Sequence, residues 1–327
     1  MVDIEGDLRA LTERLAPIEV TDVEPLSGGA SSLTYVARVA GDDTRRVVVK
    51  VAPAGVPPVR NRDVLRQARV LRALSQTAVP VPEVLWEDAG DPPDVPPLFV
   101  MSFIQGVALE PLFDLVGGDD AETVVAERMG NAARTMAALH TLEPDALGLT
   151  AEPRVGPEDE LERWCRLLET VDPALVTGWQ TAAALLKADI PPALPAAVVH
   201  GDFRLGNALG IGARIAAVVD WEIWSVGDPR ADVGWFLANA DPHTYRRATR
   251  YVDSLPTPAE LTEVYVDETG YDVPDLQWFL SLACFKAAAT WSLIVKHNRR
   301  RAVPAPAIEE MVLVLPQLLE QVEGHLR

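Results

Sequence analysis

The stretch that decides the reading is VVHGDFRLGNALGIGARIAAVVDWE, Val198 to Glu222. Two apolar runs that look like short strands, one ending at Val199 and one at Val219, flank four polar side chains: Asp202, Asn207, Asp220 and Glu222. Polar groups at the ends of buried strands are costly unless they are partnered, and the usual reason to keep them is chemistry. Asp202 closes His-Gly-Asp and Asn207 lies five residues on, so one tight loop can present both side chains. Asp220 follows the run Ile215 to Val219, which places a carboxylate where a strand emerges.

Working outward, the chain of 327 residues is long enough for two lobes with a substantial core. Its 48% hydrophobic and 24% charged residues are an ordinary globular balance. The net charge of -19 argues against nucleic acid as a partner, because such binders need a cationic face to displace counterions. Val81 to Glu127 holds eleven acidic residues and no Lys or Arg. That run either attracts a cationic substrate or simply keeps solvated loops soluble. Only Cys165 and Cys284 are present, too few for a disulfide framework or a Cys-based metal site. The acidic amino-terminal stretch MVDIEGDLRALTERL reads as an amphipathic helix and lacks the order of a signal peptide. The most apolar helix candidate, LSLACFKAAATWSLIV, is interrupted by Lys286 and reads as too short to span a bilayer. No membrane partner and a reducing, cytoplasmic setting are therefore expected.

The first hundred residues read mainly as strands. VEPLSGGASSLTYVARVAG gives two strand patterns around a Gly/Ser turn, and RRVVVKVAP is a β-rich run. VPEVLWED and PLFVMSFI read as two more strands, while RDVLRQARVLRALSQ carries apolar residues at helical spacing. After Gly106 helical patterns dominate: 121–140, 158–169, 175–187, 232–240, 258–269, 276–295 and 307–326. The picture is a small β-rich lobe, a connector near Ser102 to Gly106, and a larger helical lobe.

Asparagine and aspartate oxygens are hard ligands suited to Mg²⁺, which takes few protein ligands and completes its shell with phosphate oxygens. A further carboxylate that binds no metal can accept a proton from a hydroxyl nucleophile. One Asp as base, with an Asn and a second Asp on the metals, is the division of labour in kinase-type phosphoryl transfer. HGDFRLGN followed by VVDWE and GDPRAD resembles the aminoglycoside phosphotransferase and choline-kinase-like family, relatives of protein kinases that phosphorylate small molecules. PLSGGASSLTY, RVVVK, PLFVMSFIQG, AALHTLEPDALGL and LACFKAAATW fall in the order the family shows, so the resemblance covers nearly the whole chain. Within it, the sequence looks closest to the phosphotransferases associated with acyl-CoA dehydrogenases.

The resemblance implies an α+β, bilobal protein-kinase-like fold, with a nucleotide-binding lobe over residues 1–104 and a catalytic, substrate-binding helical lobe over 105–327. It implies ATP and Mg²⁺ as cofactors and a small-molecule hydroxyl acceptor as partner, and leaves the oligomeric state open. Asp202 would be the catalytic base, Asn207 and Asp220 would hold Mg²⁺, and Lys50 would reach the phosphates. Taken alone, Lys50 is an edge-strand lysine and Gly28-Gly29 a hairpin turn. In the family's order, Gly28, Gly29, Ala30, Ser31 and Ser32 become the loop over the nucleotide phosphates. The connector, with Met101, Ser102 and Ile104, would pair with adenine through the Ser102 carbonyl and the Ile104 amide. His200 and Asp232 would support the loop from behind, Asp232 by hydrogen-bonding its backbone, while Glu222 either acts on the metal through water or is exposed.

One departure stands out: where the family has a glutamate on the helix after the lysine strand, this chain has Gln67. A Gln oxygen can accept from Lys50 without the charge assistance that roughly doubles such a bond. Asp63, one turn earlier, is a possible substitute. Lys286, a lone cation on an apolar helix, needs a carboxylate or an anionic ligand, so it is either a substrate contact or half of a buried ion pair. Three functional readings result. The first is a small-molecule kinase. The second is a catalytically quiet nucleotide-binding regulatory module, supported by Gln67. The third is a protein kinase, against which the missing HRD, DFG and APE motifs count. Acidic loops suit an aminoglycoside or amino alcohol acceptor. Lys286 and the basic run Lys296 to Arg301 suit a hydroxy acid or hydroxyacyl-CoA, the class towards which the subgroup resemblance tilts.

Overall fold

The computed structural model describes residues 4–26, 32–112, 120–245 and 249–326, with backbone only at 4–8 and 43. The chain divides into two compact units, Met1–Gly106 with Ala216–Trp224, and Val107–Ile215 with Ser225–Arg327. The division expected at residue 104 thus falls two residues later. It is also not a single cut, because Ala216–Trp224 returns to the first unit. Hydrogen bonds tie it there: Val218 N donates to the Pro80 carbonyl at 2.8 Å, and Arg66 Nη1 to the Trp224 carbonyl at 2.9 Å.

In the first unit, α1 (Ile4–Arg14) precedes strands β1 (Val20–Pro25), β2 (Leu33–Val39) and β3 (Asp42–Val51), then α2 (Val64–Leu74), β4 (Val84–Asp88) and β5 (Leu98–Ser102). The strands form one antiparallel sheet in the order β1-β2-β3-β5-β4. The β-branched run Val47 to Val49 lies in the buried half of the central strand β3, Val47 to Val51, while Asp42 and Thr44 to Arg46 are exposed. Side chains alternate across a pleated strand. Val47, Val49 and Val51 therefore join Leu98, Val100, Leu11 and Leu15 in one core, while Lys50 emerges on the opposite face with its cross-strand partner Phe99.

In the second unit, α3 (Glu122–His140), β6 (Arg154–Val155), α4 (Pro157–Leu168) and α5 (Trp179–Ala188) lead to β7 (Ala197–Val199). β8 (Ala208–Ile211) and β9 (Arg214–Val218) follow, the chain passing into the first unit within β9. It returns at β10 (Ser225–Gly227) and continues through α6 (Arg230–Ala240), α7 (Pro242–Tyr245), α8 (Pro258–Thr269), α9 (Leu276–Asn298), α10 (Pro306–Glu309) and α11 (Leu315–Leu326). β10 lies between β6, parallel to it, and β7, antiparallel. The core gathers apolar residues of α4, α5, α6, α9 and α11.

Two expectations about helices are corrected. The pattern over 307–326 is not one helix. It breaks into α10, a 3-10 turn at Glu310–Leu313 and α11, whose second residue, Pro316, brings no backbone donor. The apolar helix thought too short for a bilayer is α9, whose 23 residues are long and apolar enough to cross one. However, 72% of its most apolar window is buried inside the protein, as in a core helix.

Candidate functional site

β7 ends at Val199, and Gly201, at φ 83°, turns the chain sharply so that Asp202 leaves the strand end. A 3-10 turn at Leu205–Asn207 then brings Asn207 back beneath it. Asn207 Nδ2 donates to the Asp202 carbonyl at 3.0 Å and to Asp202 Oδ2 at 2.8 Å. With its amino group so committed, Asn207 keeps its Oδ1, an acceptor without a hydrogen-bond partner among the described residues. Asp202 Oδ1 accepts from Trp235 Nε1 at 2.7 Å, and Arg204 Nε bridges both carboxylate oxygens at 3.2 and 3.3 Å. Three donors thus orient the carboxylate while leaving part of its acceptor capacity open.

The loop is braced from behind by Asp232 of α6, which is fully buried. Its Oδ2 accepts from His200 N at 2.6 Å and its Oδ1 from Gly201 N at 2.8 Å. Burial alone would push this carboxyl up, but the His140 hydrogen bond and the charges of His140, His200 and Lys286 hold it below the usual range. His200, also buried, uses Nδ1 to accept from the Asp202 amide at 3.1 Å. Asp228 caps the entry to α6 through Arg230 N at 3.0 Å.

Three residues of this constellation escape sequence reasoning. Glu110 Oε1 accepts from Arg204 Nη1 at 2.5 Å and from Gly206 N at 2.7 Å, and burial pushes its carboxyl up against the pull of Arg204. It lies 94 residues before Arg204, beyond any local signal. Arg204 itself could have been found, since it stands inside the motif between Asp202 and Asn207. His140, whose Nε2 lies 3.4 Å from Asp232 Oδ2, closes a helix that reads only as amphipathic. Lys286 of α9 is buried and forms no salt bridge among the described residues. Its ammonium donates to the Gly201 carbonyl and sits 3.8 Å from the centre of the Trp235 ring. At the basic end of α9, Arg299 pairs with Glu309 at 3.0 Å and Lys296 donates to the Thr170 carbonyl, while Arg300 and Arg301 are exposed.

In the first unit, Lys50 is buried and meets Asp220 Oδ1 at 2.9 Å and Gln67 Oε1 at 3.4 Å. They line a small recess with Leu71, Phe99, Met101 and Trp221. A lysine only donates, so Gln67 must turn its oxygen to Lys50, and its buried Nε2 has no partner among the described residues. Asp63 does not replace the missing glutamate: it is the N-cap of α2, accepting from Arg66 N at 3.0 Å. Asp220 adopts a left-handed conformation, φ 65°, at the start of a 3-10 turn that carries the half-buried Glu222. Ser102 spends its amide and hydroxyl on Glu83, at 2.8 and 3.0 Å, which fixes the connector, and Ile104 follows half-buried. Gly28, Gly29, Ala30 and Ser31 lie outside the described residues. Ser32 is buried and its hydroxyl has no partner among them.

Each unit therefore carries a pre-built polar cluster on its own secondary structure. Residues 22–263 match the phosphotransferase enzyme family, and the chain belongs to that family. It is 23% identical over 301 residues to acyl-CoA dehydrogenase family member 10 of Mus musculus, across 88% of this chain but 27% of that protein. The chain thus spans only about a third or less of the length of such relatives. Among solved structures it resembles a candidate aminoglycoside phosphotransferase from Ralstonia eutropha JMP134, with a TM-score of 0.75 at 20% identity over 98% of both chains. It also resembles the aminoglycoside phosphotransferase APH(4)-Ia in ternary complex with ADP and hygromycin B, with a TM-score of 0.61 at 19% identity over 98% and 97%. These neighbours show the protein-kinase-like, bilobal α+β fold.

Each unit by itself offers an oxygen suited to Mg²⁺. No group of three or more His, Cys, Asp or Glu side chains suited to a metal occurs among the described residues. That is compatible with an ion that takes one or two protein oxygens and fills its shell with water and phosphate. Asn207 Oδ1 is such an oxygen, and the Asp220 carboxylate, paired with Lys50, is another.

Proposed function

We propose that this phosphotransferase is an ATP- and Mg²⁺-dependent kinase that moves the γ-phosphoryl group to a hydroxyl of a small molecule. The observation that carries the reading is the Asp202–Asn207 pair: a carboxylate oriented by three donors, beside an amide whose oxygen is left for a cation. Asp202 orients the acceptor hydroxyl and takes its proton. Asn207 and Asp220 would hold Mg²⁺, which neutralises phosphate charge when bound. Lys50, desolvated and ready to donate, holds the donor phosphates, and the connector at Met101 to Ile104 receives the adenine. Most of the rate would come from positioning and electrostatics.

The acceptor class we favour is a hydroxy acid or hydroxyacyl thioester over an aminoglycoside. Lys286, buried and engaged, no longer supports that choice, but Arg204 does. Its side chain is 29% exposed beside Asp202, and its Nη2 makes no hydrogen bond among the described residues. A half-buried guanidinium next to the base, with one nitrogen unengaged among the described residues, suits an anionic acceptor. The likeness to acyl-CoA dehydrogenase family member 10 points the same way. The quiet-module reading loses ground because Lys50 already has a charged partner in Asp220 despite Gln67. Two free, buried cysteines support a cytoplasmic setting.

The test is phosphate transfer from ATP to a panel of hydroxyacyl thioesters, hydroxy acids, amino alcohols and aminoglycosides. Asp202→Asn should abolish turnover while ATP binding by calorimetry stays within a few-fold. An Asp202→Asn variant that keeps most of its rate would remove the base assignment, and activity confined to aminoglycosides would remove the acceptor class.

A further inference from the structure

Trp235 and Lys286 are given no chemical role above, yet both act on the residue that is. The Gly201 peptide is gripped at both ends: its N–H donates to Asp232 Oδ1 at 2.8 Å, and its carbonyl accepts from the Lys286 ammonium. That carbonyl belongs to the peptide plane entering Asp202, so holding it fixes the direction in which the Asp202 side chain departs. The same ammonium lies 3.8 Å from the centre of the Trp235 ring, a cation–π distance, and 5.5 Å from that of Trp164. Trp235 in turn donates its indole N–H to Asp202 Oδ1 at 2.7 Å. A cation on the ring face polarises the indole and strengthens its N–H as a donor. One buried ammonium thus reaches Asp202 twice, through backbone and through ring.

An alkylammonium in an apolar helix core is costly to keep. Lys286 is 7% exposed, and Phe285, Ala287, Ala288 and Ala289 around it are buried too. A methionine would fill the same space without the desolvation cost, so the charge is there for what it touches. Resting on the reading of Asp202 as the base, we infer that Lys286 and Trp235 are positioning residues for the Asp202 carboxylate. Together they fix its backbone entry and its Oδ1, which turns the remaining acceptor capacity towards the acceptor hydroxyl.

Burial pulls the Lys286 ammonium down to about 8, opposed by Asp202, Glu160 and Asp232 and aided by Arg163. These groups of α4, α6 and the loop, with the two indoles, are what face it. The hold on Asp202 therefore weakens as pH rises through about 8, where the amine becomes neutral and the cation–π attraction ends.

The test uses the whole chain, ¹⁵N-labelled, and reads the indole N–H signals of its eight tryptophans, so it needs no substrate. The Trp235 signal, identified by its loss in Trp235→Phe, is expected well downfield. It should move upfield in Asp202→Asn and show a step near pH 8 that is absent in Lys286→Met. With ATP and an acceptor from the panel, Trp235→Phe and Lys286→Met should lower kcat tenfold or more while the KM for ATP stays within twofold. A Trp235 signal indifferent to both Asp202→Asn and Lys286→Met overturns the inference, and Trp235→Phe is mild enough to fold if Lys286→Met does not. The Asp202→Asn control separates the two claims. If it keeps its rate, the base assignment fails. If it is dead while Trp235→Phe and Lys286→Met match the wild type, only the positioning role fails.

Discussion

Asp232→Asn gives the sharpest test of how the site loop is held. The carboxylate accepts two buried backbone N–H groups, at 2.6 and 2.8 Å, and His140 Nε2 at 3.4 Å. Asparagine keeps one oxygen, so its best placement leaves the Gly201 N–H facing an amino group. Stranding one buried donor costs about 1–3 kcal/mol, and neutralising the acceptor weakens the remaining bonds by about 1 kcal/mol more. The expected loss is ~2–4 kcal/mol, or a fall of ~5–15 °C in the midpoint of a cooperative unit of this size. The sign with pH follows from Asp232 being held below the usual carboxylate range. A depressed folded-state pKa adds stability that is present above the unfolded value, ~3.9, and is lost as pH falls through the folded value. Calorimetry of wild type and variant should show a gap that is constant from about pH 7 to pH 5 and closes only in stronger acid. A gap under ~1 kcal/mol at neutral pH would refute the bracing role. A gap that already closes between about pH 7 and 5 would refute the carboxylate as its source and assign it to a histidine.

Four further variants probe the frames of the two units. Arg230→Lys should cost ~3–5 kcal/mol in urea unfolding. It would break a buried two-pronged pair with Asp228, at 3.0 and 2.7 Å, and bonds to the Pro192 and Pro274 carbonyls that one ammonium cannot reproduce. Gly234→Ala should cost ~1–3 kcal/mol without altering nucleotide affinity, because a Cβ on α6 would meet the Phe279 backbone carbonyl of α9 at 2.6 Å. Gln67→Leu should change stability by less than ~1 kcal/mol, since it trades a long bond to Lys50 for relief of an orphaned amide nitrogen. Asp220→Asn, which strips Lys50 of its only charged partner among the described residues, should cost several times as much in the same assay.

What was legible in the sequence were features set by local chemistry. RRVVVKVAP read as a β-rich run, which β3 bears out, whereas Lys50, taken alone an edge-strand lysine, lies on a strand paired on both sides by β2 and β5. The helical patterns from 121 to 295 read correctly to within a few residues, as apolar spacing records which face is buried. Asp202 and Asn207 were visible as a pair because five residues of tight loop suffice to join them. Glu110 was not, because its partner is contributed by tertiary folding from 94 residues away. The role of Asp63 was misjudged for a related reason: an acid one turn before a helix can cap its amides or reach a neighbouring lysine. The cap prevails because Arg66 N is 3.0 Å away with no chain to rearrange. Ala216–Trp224 looked like part of the helical half by its place in sequence, yet Pro80 and Arg66 claim it for the other unit.

The residues around the base were hardest to see because α6 has no polar face to read. From Val233 to Ala240 every residue is buried, as are Arg230 and Asp232. Amphipathic spacing therefore carries no information there. A helix buried on all sides can keep a charge or a polar group only where another part of the protein meets it. Each polar group on α6 is met: Arg230 by Asp228 and the Pro192 and Pro274 carbonyls, Asp232 by the His200 and Gly201 amides, the Trp235 indole N–H by Asp202, and Asn239 by the Trp235 carbonyl. Two of the four sets of contacts end on the loop that carries Asp202, and α9, against which α6 closes at Gly234, returns Lys286 to the same loop. The desolvation cost of keeping polar atoms inside this helix pair is thus offset by fixing one short segment of backbone. A change to any of these side chains should therefore reach Asp202 through geometry before it reaches it through charge.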